Sequence, residues 1–273
     1  MSPQLIAFIV LVVVNFMLIV GMVFLERKDP KSCIAWALSF LVLPFVSWFI
    51  YIMVGKGPKF SKRRWSKRKQ LADKKLEQRL KNGDFNFYEG SNNENSQIVK
   101  LNYYYGGSPC QSNNEVEFFI DAHEMYDRQL EDIKNAAESI NVMYYLFKSD
   151  AAGKTLRDAL IEKAKQGVKV NVVYDSSGNL KTNLYFFRDL IKAGGKVHPF
   201  FPSIFKLINS NFCYRNHRKI VVIDGKIGYI GGMNIGVDYL SQDKRIKPWR
   251  DTHLRIVGES VCMLQTRFIK DFT

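Results

Sequence analysis

Two long stretches without an ionisable side chain open this chain, and they constrain it more than anything that follows. Leu5 to Leu25 is 21 residues long, with Asn15 its only strongly polar member. Cys33 to Val54 is 22 residues long, carries Trp36, Trp48 and Tyr51, and has Pro44 mid-span. A helix needs roughly 20 apolar residues to cross the hydrocarbon of a bilayer. Both runs are therefore expected to span a membrane, the second kinked at Pro44, with its aromatic rings at headgroup level. The linker Glu26 to Ser32 leaves room only for a tight hairpin. A cleaved signal peptide fits poorly. No Lys or Arg precedes the first run, and a second apolar run follows at once.

Charge then orients the hairpin. The linker holds Arg27, Lys28 and Lys31, whereas Lys56, Lys59, Lys62, Arg63, Arg64, Lys67, Arg68 and Lys69 follow the second run with no acid among them. Eight cations against three place the remainder of the chain in the cytoplasm. Beside an anionic leaflet each is worth about 1 kcal/mol. Much of the formal net charge of +14 is thereby accounted for without a nucleic acid, despite Trp65 among the cations. Cys33, Cys110, Cys213 and Cys262 form no CxxC pair, which argues against a zinc site or a disulfide framework.

Beyond this lie a mixed-charge helical stretch, Leu71 to Leu80, and a polar linker, Asn82 to Gln97. From about Glu115 the pattern alternates. Strands are expected at Val116–Ile120, Ile140–Phe147, Val168–Tyr174, Lys219–Ile223, Ile227–Ile230 and Leu254–Val257. Helices are expected at Met125–Ala137, Thr155–Gln166 and Leu184–Ala193, and another begins just before Thr273. Asp224-Gly225 makes a hairpin turn. This is an α/β pattern with a mixed sheet. The expected domains are residues 1–55, the hairpin; 56–114, a basic juxtamembrane segment and linker; and 115–273, the α/β domain, incomplete at its C-terminus.

The chemistry concentrates between residues 216 and 234. On a strand, His217 and Lys219 share one face, because side chains alternate with period two. An imidazole nucleophile beside a fixed cation suits attack on a phosphodiester, the cation stabilising charge on the non-bridging oxygens. Asn234 is a further donor, and Gly231 and Gly232 allow backbone to approach a phosphate. Asp224 lies an odd number of positions from His217 and reads as a structural anchor.

The spacing H-x-K-x4-D-x6-G-G-x-N resembles the HKD motif of the phospholipase D superfamily. Tyr214-Arg215-Asn216, Ile235 to Leu240, Trp249 to Arg255, Tyr144 to Phe147 and Phe200 to Ser203 sharpen the resemblance to bacterial cardiolipin synthases. The resemblance implies a phospholipase D-like mixed-sheet sandwich half behind a two-helix transmembrane hairpin. It implies that His217 forms a phosphatidyl-histidine intermediate from phosphatidylglycerol, and that a second phosphatidylglycerol accepts the phosphatidyl group. It implies no metal and no other cofactor, with Lys219, Asn234 and the Gly232 backbone handling the phosphate. Such enzymes carry two HKD motifs, and this chain has one; His123, His198 and His253 are not followed by Lys two positions later. The implied partners are anionic lipids and a second HKD half, from a longer chain or from a homodimer, with no nucleic acid. The competing readings are a homodimeric phosphodiesterase or nuclease, and an inactive truncated product. His123, His198 and His253 read as surface or hydrogen-bonded core residues. A histidine nucleophile needs its second ring nitrogen held by an acceptor, and Asp251, at the matching place in the superfamily, is expected to bond His217.

A reporter fused after Lys69 is expected to read as cytoplasmic; an extracytoplasmic signal would overturn the orientation.

Overall fold

Three aspartates and a proline mark where the chain changes direction. The computed structural model describes residues 2–25, 30–51, 96–106, 108, 110–176, 178, 182–200, 215–240 and 249–272. The basic segment from Lys56 to Lys69, the helix expected at Leu71–Leu80 and nearly all of the expected Asn82–Gln97 linker lie outside these residues. By their contacts the described residues fall into two units, 2–51 and 96–272.

In the first unit, α1 (Pro3–Leu25) is the one helix among the described residues long and apolar enough to cross a membrane. The second apolar run departs from the expected single span. It forms α2 (Pro30–Val42) and α3 (Pro44–Ile50), broken at Leu43. Pro44 has no N–H to give, and its ring drives Leu43 out of the helical region, to φ −135° and ψ 68°. The Ser47 hydroxyl bridges the break, donating to the Ser39 carbonyl at 2.8 Å. The aromatic residues also depart from expectation. Tyr51 is buried, packed edge-on to Trp36 at 5.0 Å and to Phe40 at 5.2 Å. The Trp48 indole N–H donates to Asn15 Oδ1 at 2.8 Å. An amide facing hydrocarbon must find such a partner, and this bond pins α1 to α3.

In the second unit, α4 (Ser96–Gly106) precedes a mixed sheet of β1 (Asn114–Phe119), β2 (Ser139–Tyr144), β3 (Lys169–Asp175), β4 (Lys196–Phe200), β5 (Ile220–Ile223), β6 (Ile227–Gly231) and β7 (His253–Gly258). Their order across the sheet is β1-β7-β6-β5-β2-β3-β4. The β2–β3 and β3–β4 pairs are parallel, joined through α6 (Ala151–Lys165) and α7 (Arg188–Lys192); the other pairs are antiparallel. Asp121 caps α5 (Ala122–Lys134) by accepting from His123 and Glu124 N–H, and Asp150 caps α6 through Gly153 N–H. One face of the sheet, with Val142, Tyr144, Val172, Val221 and Tyr229, packs on Met125, Ile133, Leu156 and Leu160 of α5 and α6. The other, with Met143, Val173, Ile220 and Val222, packs on Val261 and Phe268 of α8 (Val261–Phe272). Helices thus cover both faces, the sandwich that alternating strands and helices require. Strand β4 was not legible in the alternation, and the helix expected at Leu184–Ala193 is helical only from Arg188 to Lys192.

Asp224 fixes the turn between β5 and β6, at φ 52°. Its carboxylate accepts the N–H groups of Ala137, Glu138 and Ser139, each at 2.8 Å. It therefore ties the hairpin to the corner between α5 and β2. Burial works to raise its pKa, but the three backbone bonds outweigh burial and hold it below the ordinary carboxylate value. A depressed folded-state pKa means that the stabilisation is fully present above the unfolded value of about 4 and is lost as pH falls through the folded value. Asp224→Asn is expected to cost roughly 2 kcal/mol at pH 7. In denaturant titrations its gap to the parent should narrow below pH 4.

Candidate active site

The five residues leading into β5 carry the site. Arg215 to Lys219 lie outside the sheet, since β5 begins at Ile220 rather than at the expected Lys219. Burial does not alternate strictly here: Asn216 and Lys219 are buried, and His217 and Arg218 are exposed. The Asn216 side chain turns inward, and the His217 side chain faces solvent. Asn216 is held by its backbone. Its N–H donates at 2.9 Å to Asp175 Oδ2, a buried carboxylate at the end of β3 that also accepts Gly178 N–H.

Lys219 is 2% exposed. Its ammonium donates to the His217 carbonyl at 2.9 Å and contacts His217 Nδ1 at 3.1 Å, and it stands 5.4 Å from the centre of the Tyr145 ring. Burial pulls its pKa down to about 8, against the opposing field of the Asp251 carboxylate. The His217 imidazole packs on Tyr145, ring centres 4.4 Å apart. Partial burial and then the Lys219 charge lower the His217 pKa, while Asp175 works the other way. With Lys219 as the donor, Nδ1 is an acceptor and the ring proton sits on Nε2.

The other residues marked in the sequence fall differently. Asp224 stands at the far end of β5 and bonds only backbone. Asp251 does not bond His217; its carboxylate accepts the N–H of Thr252 at 2.8 Å. The cause is strand pairing. Gly231 pairs with His253, and Gly232 N–H donates to Thr252 O at 2.9 Å, which sets Asp251 over Gly232. A Cβ on Gly232 would stand 2.0 Å from Asp251 Oδ1, and one on Gly231 would stand 2.7 Å from the His253 ring. These glycines clear space for β7 and the residues entering it, and the Gly232 N–H is already used. The expected backbone contact from Gly232 to a phosphate is therefore not available as the chain stands. Asn234 is buried; its oxygen accepts Leu146 N–H at 3.0 Å and its amide donates to the Tyr239 hydroxyl at 2.9 Å. It stitches the loop after β6 to the one that carries Tyr145 and retains one amide hydrogen for a ligand.

His253 is neither on the surface nor in a hydrogen-bonded core. It is 0% exposed, and neither ring nitrogen has a hydrogen-bond partner among the described residues. Burial drops its pKa to about 4, so it is neutral near pH 7. Among the described residues no group of three or more His, Cys, Asp or Glu side chains is arranged to hold a metal ion.

Residues 130–245 match a family model described as the PLD-like domain of cardiolipin synthase. The cardiolipin synthase of Oceanobacillus iheyensis is 39% identical over 267 residues, covering 95% of this chain and 55% of that protein. The major cardiolipin synthase of Bacillus subtilis is 36% identical over 265 residues, covering 95% and 55%. Along most of its length the chain is thus similar to cardiolipin synthases, with residues 130–245 matching their PLD-like domain. It spans about half the length of the curated relatives it matches. Among solved structures, Nuc from Salmonella typhimurium is 18% identical, covering 59% of this chain and 93% of that one with a TM-score of 0.41. Phosphatidylserine synthase from Haemophilus influenzae is 21% identical, covering 57% and 36% with a TM-score of 0.45.

The three letters of the HKD motif thus separate in space. His217 and Lys219 touch, and Asp224 holds the hairpin behind them. Reasoning from the sequence missed Asp175, which no local pattern marks, and Tyr145, which was visible only as one letter of an aromatic run.

Replacing Lys219 by Met removes the cation beside His217. The His217 pKa is expected to rise, while staying below that of a free histidine because its partial burial remains. An NMR titration with ¹⁵N-labelled histidine measures this, and an unchanged pKa would show that the contact is not felt.

Proposed function

We propose that the chain is the N-terminal half of a membrane-bound phosphatidyltransferase that makes cardiolipin from two phosphatidylglycerol molecules. The observation that carries this is the contact of the solvent-facing His217 with the buried Lys219, in a chain related to cardiolipin synthases along 95% of its length. In this reading residues 1–55 anchor the protein as a multi-pass hairpin, residues 56–114 are a basic juxtamembrane segment and linker whose eight cations from Lys56 to Lys69 face the anionic cytoplasmic leaflet, and residues 115–273 carry the cytoplasmic site. The contacts of Trp48 and Tyr51 support a packed hairpin, and the eight cations support its orientation.

The donor phosphate draws the Lys219 ammonium off Nδ1 onto a non-bridging oxygen. Nδ1 can then take the ring proton, which frees a lone pair on Nε2. Nε2 attacks phosphorus, and the bond from phosphorus to the glycerol oxygen breaks. A histidine of a second HKD half protonates that oxygen, and glycerol leaves. The same histidine takes the proton from a hydroxyl of the second phosphatidylglycerol. That oxygen attacks phosphorus, the P–N bond breaks, and His217 is released. Lys219 and the remaining Asn234 hydrogen stabilise the charge on the oxygens in both steps. Asp251 supports Lys219 by its field rather than orienting His217. The second half comes from the remainder of a longer chain or from a partner copy.

Labelled phosphatidylglycerol added to the protein supplied with a second half is expected to leave a covalent label on His217, and His217→Ala should carry none. The 273-residue chain as a monomer should make little or no cardiolipin. Label trapped on the His217→Ala protein, or robust synthesis by the monomer, would overturn the reading.

A further inference from the structure

His217 is held from behind by a residue far away in sequence. Asn216 and Arg218, its two neighbours, both reach one carboxylate, that of Asp271 near the end of α8. Asn216 Nδ2 donates to Asp271 Oδ2 at 3.3 Å, and Arg218 Nη1 donates to the same oxygen at 3.4 Å. The Asp271 side chain is 0% exposed. Arg267, one turn earlier on α8, grips it with a fork, Nη2 to Oδ1 at 2.6 Å and Nε to Oδ2 at 3.1 Å. Asn216 Oδ1 in turn accepts the Arg218 backbone N–H at 3.2 Å. Asp175 takes the Asn216 backbone N–H.

A buried carboxylate is costly unless its oxygens are satisfied. Arg267 alone would satisfy both with two charge-assisted bonds. The additional bonds to Asn216 and Arg218 exceed what burial requires, and both fall on the residues that flank the nucleophile. Asn216 and Arg218 share the Asp271 carboxylate, whereas His217 and Lys219 contact each other. Anchoring the two residues that flank His217 therefore restrains the direction in which its side chain projects.

We propose that Asp271 is a positioning residue for His217, acting through Asn216 and Arg218 to hold the imidazole against Tyr145 and Lys219. This rests on His217 being the reacting group, and the test reads the His217 ring directly rather than product formation. The full chain, labelled with ¹⁵N-histidine in lipid nanodiscs, has four histidines to resolve. In the parent, His217 should show a single tautomer and a pKa below the ordinary value. Asp271→Asn is close to isosteric and removes the charge that binds Arg218. It should mix the His217 tautomers and raise the pKa towards that of a free histidine. Through space, loss of a negative charge lowers a histidine pKa, so a rise reports lost positioning and not lost charge. Arg218→Gln removes one arm at a partly solvent-exposed side chain and should mix the tautomers as well, with Arg218→Lys restoring the single form. A His217 ring that keeps its single tautomer and depressed pKa in Asp271→Asn overturns the proposal, whatever the melting temperature does. If Asp271→Asn does not fold, an unchanged ring in Arg218→Gln overturns it. Failure of the transferase reading would appear separately, as absence of label on His217 with the ring geometry intact.

Discussion

A lysine ammonium with almost no exposed surface must be surrounded by acceptors, because a charge taken out of water costs several kcal/mol unless its donors are matched. At Lys219 the matching groups are the His217 carbonyl and Nδ1, the face of Tyr145 and the field of Asp251. The carbonyl bond closes a tight local loop, and that loop presses the imidazole against its own stabilising cation. One demand, the satisfaction of a buried charge, thus sets the distance and the tautomer of the group that faces solvent, and adds to the partial burial that lowers its pKa. With a pKa of about 8, Lys219 is mostly charged near neutrality but close enough to its titration to be sensitive to what binds beside it.

Such an arrangement needs a backbone that does not give way, and the rigidity comes from both ends of β5. At one end Asp224 binds three consecutive N–H groups at the start of β2, the strand alongside β5. At the other, Asp175 takes the Asn216 N–H at the start of the segment leading into β5. Between them β5 is buried throughout, in the middle of a sheet covered by helices on both faces. Across β6 and β7 a third polar system, Arg255 with Asp132 and Tyr229, fastens the sheet to α5. Carboxylates that accept backbone or guanidinium donors recur at each junction. Each is worth more than an exposed ion pair because water competes poorly there.

Most of the fold could be read in the alternation of strand and helix, because the period of apolar residues reflects burial on a sheet or a helix face. The failures have specific causes. Strand β4 carries Pro199 and exposed or half-buried residues at the sheet edge, so it shows little apolar pattern. The kink expected at Pro44 is a full break at Leu43, because the residue before a proline is driven out of the helical region. At the site, His217 and Lys219 are in contact at 3.1 Å, although they precede β5 and burial along residues 216–219 does not alternate with period two. The reading of Asp251 depended on how a strand 34 positions away aligns beside β6, and a shift of one place there exchanges the faces. His253, not Asp251, lies in the pair register with Gly231, and the carboxylate turns to Gly232 and Thr252 instead. Gly231 and Gly232 looked like ligand-contacting glycines, but the atoms closest to them belong to His253, Thr252 and Asp251. Asp175 and Asp271 carry no local signature because their roles exist only once β3 and α8 have been brought to the His217 segment.

The buried polar groups also explain why the site resists reading as a single triad. His217 leans on Lys219; Lys219 feels Asp251; Asp251 sits in the space that Gly232 leaves open; and His253 fills the gap over Gly231 with neither ring nitrogen bonded among the described residues. A Cβ on Gly232 would collide with the Asp251 carboxylate, and one on Gly231 with the Thr252–His253 backbone and the His253 ring, so packing alone requires glycine at both positions. The aspartate and the glycines of the motif are therefore set by the packing that keeps the histidine and the lysine in contact.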